Sequence, residues 1–236
     1  MRDYNEFVLK LKEIKELGWV KTHRRGNTGI GKTLEDLLGI NENNIPGPDA
    51  CGNIELKATR KPTISMLTLF TKTPQPTSIN SKLLRWFGYI TPNSHNRPIL
   101  HTTISGSNYN SLRGHPGFII KHDLTKINLV HNKQGVVAYW ERNHLKEVFE
   151  RKLPQLMYVL ADYKGSGEFE EFYFNEAYLL KGFSFEDFSK LLEEGKIYID
   201  IRIGQYPDGS THDHGTAFRV KQDELDNCFS NKIRII

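Results

Sequence analysis

Cysteine is scarce in this chain: Cys51 and Cys228 are the only two among 236 residues. They give neither a disulfide framework nor a zinc-ligand spacing, so a reduced, cytoplasmic protein is the expectation. Long apolar runs are missing too. None reaches the roughly 18 residues that a membrane span needs, which argues against a membrane partner. The opening "MRDYNEFVLK" carries acids where a signal peptide would carry an apolar stretch. There is no internal repeat, no low-complexity segment, and no stretch that reads as disordered. A strong charge imbalance is also lacking, since the net charge is only +4. That charge is unevenly placed: residues 1–100 hold 15 Lys+Arg against 9 Asp+Glu, and residues 101–236 hold 17 against 19. Such asymmetry fits either a solvated surface or a positive face for a polyanion.

What is present suffices for a core. Hydrophobic residues make up 38% of the chain and aromatics 11%, and the length fits one large domain or two intimate lobes. "DYNEFVLKLKEIKELG" reads as an amphipathic helix, with Asp3 as its cap, Phe7, Leu11 and Ile14 on one face, and Gly18 at its end. "NIELKATR" alternates as a strand, and "SMLTLFTKT" is expected to pair with it across a turn near Lys61–Pro62. "SKLLRWFGYI" reads as a helix, residues 91–117 as loop with short strands, and "INLVHNKQGVVAYW" as a hairpin turning near Lys133–Gly135. "QLMYVLADYKG", "FEEFYFNEAYLL" and "KIYIDIRIG" are strand-like, and "FEDFSKLLEEG" is a capped helix. The sum is an α/β or α+β fold with a mixed sheet.

"GNTGIGKT", Gly26 to Thr33, matches the nucleotide-binding pattern G-x-x-x-x-G-K-[ST]. That pattern needs a buried strand entering the loop. Here "KTHRR" enters it, too charged for a central parallel strand, and no regular strand–helix alternation follows. A Gly-rich loop feeding a helix N-terminus still suits an anion of some kind.

Asp49, Glu55 and Lys57 form D-x5-E-x-K. On a strand, residues two apart point to one side, so Glu55 and Lys57 converge, and Asp49, just before that strand, can approach from the partner strand or turn. Two carboxylates bind Mg²⁺ and leave coordination sites for water and phosphate, while the ammonium holds the attacking water. The same E-x-K spacing at Glu13/Lys15 and Glu150/Lys152 falls in helical segments, where residues two apart diverge. At Glu194/Lys196 it sits by a helix-ending glycine. An ordinary surface strand is the alternative reading of Glu55 and Lys57.

The runs "RRGNTGIGKTLEDLLG", "PDACGNIELK", "LTLFTKTP" and "DIRIGQY…THDHGTAFRV" occur in this order. Together they resemble the MvaI/BcnI family of type II restriction endonucleases, relatives of the mismatch-repair nicking enzyme MutH, and the MvaI branch fits best. The resemblance runs from about residue 18 to 220. It implies a PD-(D/E)xK fold with two lobes flanking a DNA-binding cleft, residues 1–105 mainly catalytic and completed by a strand near 155–164. Residues 106–236 would be mainly the DNA-recognition lobe. It implies a monomer that cuts double-stranded DNA with Mg²⁺ (Mn²⁺ as a substitute) and without ATP, leaving 5′-phosphate and 3′-hydroxyl ends. A cognate DNA methyltransferase would protect the host without having to bind. By matching position Asp49 and Glu55 are metal ligands, Lys57 the water-positioning base, and Glu35 an acidic support for the site. Arg24, Arg25 and Lys32 in the Gly-rich loop would hold DNA backbone phosphates. The Asp49–Glu55 gap is one residue longer than in the MvaI branch, so the turn at Cys51–Gly52 is expected to bulge.

In "YIDIRIG", Asp200 and Arg202 share the polar face of a strand. Asp accepts from cytosine N4 and Arg donates to guanine O6 and N7, so the pair suits a C·G base pair; an exposed salt bridge is the plainer alternative. "THDHGTAFR" supplies His212, Asp213, His214 and Arg219. H-x-H invites zinc, but no Cys or third His sits at a familiar spacing. The resemblance makes this segment base-reading, with Tyr206 entering the minor groove. Thr71 stands where the BcnI branch has a histidine, which favours a central A·T pair and a CCWGG site over CCSGG. Two other readings compete: a MutH-like, methylation-dependent nicking enzyme, and a non-catalytic DNA-binding module.

Overall fold

The computed structural model describes residues 3–40, 48–62 and 65–236. The chain begins with α1 (Tyr4–Glu16), β1 (Val20–Lys21), α2 (Gly29–Leu38) and β2 (Glu55–Lys61). Next come β3 (Leu67–Thr71), α3 (Ile79–Phe87), β4 (Leu100–Ile104) and two short strands, β5 (Ser111–Leu112) and β6 (His115–Pro116). β7 (Phe118–His122), β8 (Lys126–His131) and β9 (Gly135–Glu141) lead into α4 (Arg142–Lys152), β10 (Leu156–Lys164) and β11 (Glu171–Lys181). The last elements are α5 (Phe185–Glu193), β12 (Ile197–Gln205), β13 (Thr211–Asp213), β14 (Ala217–Val220), α6 (Leu225–Cys228) and β15 (Asn231–Arg234). This is a mixed α+β fold. Among the described residues no helix is long and apolar enough to cross a membrane.

Two compact units form, interleaved in sequence: Met1–Ser65 with Glu150–Phe183 and Phe229–Ile236, and Met66–Phe149 with Ser184–Cys228. Residues 150–183, which include the strand expected near 155–164, thus lie with the N-terminal segment, while residues 66–105, expected with it, lie in the second unit. The cause is strand pairing: β10 returns to lie beside β2, and β11 lies between β10 and β1, so residues 150–183 rejoin the N-terminal segment.

In the first unit the sheet runs β1-β11-β10-β2, with β15 also on β11. Only β10–β2 is parallel. Asp3 caps α1 by accepting the Glu6 N–H at 2.8 Å. Phe7, Leu11 and Ile14 of α1 and Ile30, Leu34 and Leu38 of α2 pack against Leu56, Met157, Val159 and Ala161. Each fully buried large side chain contributes about 1.5–3 kcal/mol. Because side chains alternate along a strand, burying Leu56 and Ala58 on the helical side turns Glu55, Lys57 and Thr59 to the other face. The expected hairpin between β2 and β3 does not form. β2 pairs with β10, and β3 pairs antiparallel with β14 in the other unit. Alternation identifies a strand without identifying its neighbour.

The second unit holds a sheet in the order β13-β12-β14-β3, with β4 on the other edge of β12. A three-stranded sheet β7-β8-β9 and the hairpin β5–β6 accompany it. The β8–β9 turn falls where the sequence indicated. Ile197, Ile199, Ile201 and Ile203 of β12 are all fully buried, facing a core with Phe70, Phe188 and Phe218. Phe70 and Phe218 stack at 4.7 Å.

Candidate functional site

Ala50 and Ile54 bond reciprocally at 2.9 Å around a tight turn, with Cys51 at φ 53° and Gly52 at φ 74°. This turn brings Asp49 back alongside β2. The Glu55 N–H donates to Gln155 O on the β10 side, so the next amide, Leu56 N–H, points to the opposite edge, where Asp49 Oδ2 accepts it at 2.9 Å. Glu55 is 7% exposed, and its Oε1 accepts from Lys57 Nζ at 2.5 Å. Glu55 Oε2 is buried with no hydrogen-bond partner. Burial pushes the Glu55 carboxyl above its ordinary range; the Lys57 charge opposes this and the nearby Asp49 charge adds to it. A buried carboxylate oxygen without a donor, beside a second carboxylate, is a fitting donor set for a hard divalent cation. Among the described residues no group of three or more His, Cys, Asp or Glu gathers for a metal. A cation here would draw its remaining ligands from water, backbone or phosphate. Glu35 is half-buried on α2, the helix packed on β2, and its carbonyl accepts the Ile40 N–H at 2.8 Å.

Glu55→Gln should therefore raise the melting temperature of the metal-free protein. Glu55 has a folded pKa above its unfolded value, so its contribution is fully present below the unfolded pKa of about 4.3 and is lost as pH rises through the folded pKa. The variant should match wild type near pH 4 and exceed it at neutral pH, by about 2–4 °C for each kcal/mol relieved. Calorimetry across that range checks this; a gap independent of pH would refute the burial argument.

The Gly-rich loop is built differently from a nucleotide loop. β1 is a two-residue antiparallel edge strand, not a central parallel one. Thr33, whose hydroxyl would hold Mg²⁺ in a nucleotide site, is fully buried. It donates to Gly29 O at 2.8 Å and accepts the His23 N–H at 2.9 Å. A Cβ on Gly29 would lie 2.2 Å from Arg24 O, so only glycine lets α2 start this close to the loop. Lys32 Nζ pairs with Asp36 at 2.7 Å and Arg25 with Glu168 at 2.5 Å. Arg24 lies on the exposed entry to the loop. Two residues here carried no sequence signal. Arg60 of β2 binds Glu170 at 2.6 and 2.7 Å and donates to Gly26 O and Asn27 O at 3.1 and 3.3 Å. This ties the loop to the strand that carries Glu55 and Lys57, across 110 residues of separation from Glu170.

The remaining predicted residues gather in the second unit. Arg202 Nε and Arg219 Nη1 both donate to Asp200 Oδ2 at 2.8 Å, and Thr103 Oγ1 donates to Oδ1 at 2.9 Å. Asp200 is 3% exposed, whereas the Arg202 side chain is 50% exposed. The expectation that Asp200 presents itself with Arg202 on an open polar face is thus corrected: it lies beneath two arginines that consume its acceptors. Burial alone would raise the Asp200 carboxyl, but the bonds from Arg202 and Thr103 hold it below the ordinary range. Arg219 is further anchored, its Nη2 donating to Met66 O at 2.9 Å.

Asp213 accepts from Asn80 Nδ2 at 2.5 Å and from Gly215 N–H at 2.8 Å. His212 stacks on Tyr206 at 4.4 Å and meets His214 at 3.9 Å, and the His214 N–H donates to Arg202 O at 3.0 Å. Thr71 ends β3 opposite Ala217, with Gly215 close by. His101, Thr103 and Asn80 were missed from sequence. His101 sits directly across from Arg202, and burial, with Arg202 and His214, lowers its pKa.

The chain matches the model of the MvaI/BcnI restriction endonuclease family over residues 8–229. Among solved structures it is similar to restriction endonuclease MvaI in complex with its cognate DNA substrate. The identity is 31% over 100% of both chains, with a TM-score of 0.87. It is also similar to MvaI in the absence of DNA, at 31% identity over 100% of this chain and 99% of that one, with a TM-score of 0.58. No curated protein matches it significantly. Fold and matches together define a site-specific nuclease acting on DNA. The chain belongs to the MvaI/BcnI restriction endonuclease family.

Proposed function

We propose that this protein is a type II restriction endonuclease that hydrolyses DNA phosphodiester bonds with Mg²⁺, as a monomer, at a CCWGG-type site. The observation that carries the reading is the buried, donorless Glu55 Oε2 beside Asp49 and Lys57. Asp49 and Glu55 hold the cation, and the first unit is the catalytic one. When bound, Mg²⁺ supplies positive charge to the scissile phosphate and acidity to a nearby water. Lys57 orients the attacking water and assists its deprotonation, and Glu35 supports the site. Water adds to phosphorus, the P–O3′ bond breaks, and 5′-phosphate and 3′-hydroxyl ends result. Arg24, Arg25 and Lys32 hold the backbone, and Arg60 keeps their loop in register with β2.

The second unit reads the bases. Arg202 donates to guanine, steadied by Asp200, and Asp213, His214 and Arg219 line the same sheet with His212 and Tyr206. Thr71 favours a central A·T pair. Digestion of a mapped plasmid with Mg²⁺, followed by sequencing of the ends, tests the proposal. Double-strand cuts at CCWGG are expected. Cuts in one strand only, dependent on methylation, would instead support a nicking repair enzyme, and no cutting with Mg²⁺ or Mn²⁺ would leave a binding module.

A further inference from the structure

We infer that the outer face of α3 and the β5–β6 hairpin form a second DNA contact, which grips the backbone of the duplex beside the recognition sequence. This rests on the nuclease reading above. Between Met66 and His122 the second unit holds six Lys and Arg and no Asp or Glu. α3 buries Ile79, Leu83, Leu84 and Phe87 and turns Lys82, Arg85 and Trp86 outward. Among the described residues, Lys82, Arg85 and Arg113 make no ion pair and no side-chain hydrogen bond. Unpaired cations on an acid-free stretch of chain are complementary to a polyanion.

Backbone geometry adds an independent reason. Arg113 occupies the tip of the hairpin at φ 54°, followed by Gly114 at φ 83°. A left-handed position in a two-residue turn favours Asn, Asp or Gly and costs a residue such as Arg about 1–2 kcal/mol. Strain of this kind collects where a side chain is needed. The tip is also rigidly mounted. Asn110 accepts the Phe118 N–H at 2.7 Å and donates to Thr103 O at 2.8 Å, which fixes the hairpin base to β4.

The strip is continuous with the base-reading residues. At its near end Asn80 bonds Asp213 and Ser81 meets Thr211 Oγ1 at 2.8 Å. At its far end Trp86, Arg113 and His115 line a groove of about 380 Å³. Two acids lie on this side, and both are engaged: Asp213 accepts from Asn80 and from the Gly215 N–H, and Asp208 accepts from the Ser210 N–H and Oγ at 2.9 and 2.6 Å. The nine residues of α3 span about 13 Å at ~1.5 Å per residue, the length of about four base-pair steps.

The test compares wild type with Lys82→Gln/Arg85→Gln/Arg113→Gln, binding a 30-base-pair duplex of random sequence without divalent ions, at a series of salt concentrations. Three lost phosphate contacts should flatten the log–log salt dependence by about 2.7 units. Between 50 and 200 mM salt the wild type should therefore lose about forty-fold more affinity than the variant. Sequences cut from a randomised library should be the same for both, since these contacts do not touch bases. A variant slope within half a unit of wild type overturns the proposal while the nuclease reading stands. A wild type that neither cuts plasmid nor binds the duplex overturns both. Unchanged melting temperature confirms that these exposed substitutions leave the fold intact.

Discussion

Lys57→Ala should abolish cleavage while leaving affinity for duplex DNA, measured without divalent ions, within about threefold of wild type. The two readouts separate because Lys57 sits on β2 in the first unit, whereas the residues proposed to read bases lie on β12, β13 and β14 in the second. Loss of a group that positions and helps to deprotonate water costs about 10²–10⁴ in rate. The effect should fall at the upper end, because Lys57 has a second task. Its ammonium is the main influence holding the buried Glu55 carboxyl down against burial. Without it the Glu55 pKa rises further, less of the carboxylate is ionised at neutral pH, and Mg²⁺ binding weakens as well. Raising the pH should then restore Mg²⁺ binding by the variant, read by calorimetry, without restoring the cleavage rate. Single-turnover cutting within tenfold of wild type would show that water activation lies elsewhere.

Much of the candidate site was legible because its signals are local. Asp3 and Gly18 mark helix ends by their own chemistry, and α1, β10, β11 and β12 lie where capping and alternation put them. Glu55 and Lys57 needed only a strand, and a strand is what the local pattern announced. What escaped depends on distant partners. Nothing near residue 60 announces Glu170, and nothing near residue 80 announces Asp213. Asp200 is the plainest case. Its alternation with isoleucines placed it correctly on the polar face of β12, but polar face was equated with solvent. The neighbours that bury it, Thr103 from β4 and Arg219 from β14, arrive by sheet pairing that sequence periodicity does not encode. The same limit explains why the alternation in β2 leaves its neighbour open: β10 rather than β3 lies beside it.

Arg202→Ala should relax sequence preference at one base pair of the site, with little loss of stability. The Arg202 side chain is half exposed, and a bidentate contact to guanine is worth about 1–3 kcal/mol of discrimination, roughly ten- to a hundredfold. Asp200→Ala should relax the same pair for a different reason. With its oxygens taken by Arg202, Arg219 and Thr103, Asp200 acts by holding Arg202 at the angle that guanine recognition requires. Its removal also leaves Arg219, already carrying a buried and unpartnered Nε, without its carboxylate, so this variant should melt at a lower temperature. The two substitutions act through one contact, so their effects on preference should not add: the double variant should be no less selective than Arg202→Ala alone. If Asp200 instead met cytosine directly, the double variant would lose selectivity by the product of the two single losses. Sequencing the products cut from a randomised library by each variant separates these outcomes. Slow cutting by Arg202→Ala with an unchanged sequence profile would make β12 a scaffold. Readout would then pass to the segment from His212 to Arg219, where Asp213 is held by Asn80 and His212 stacks on Tyr206.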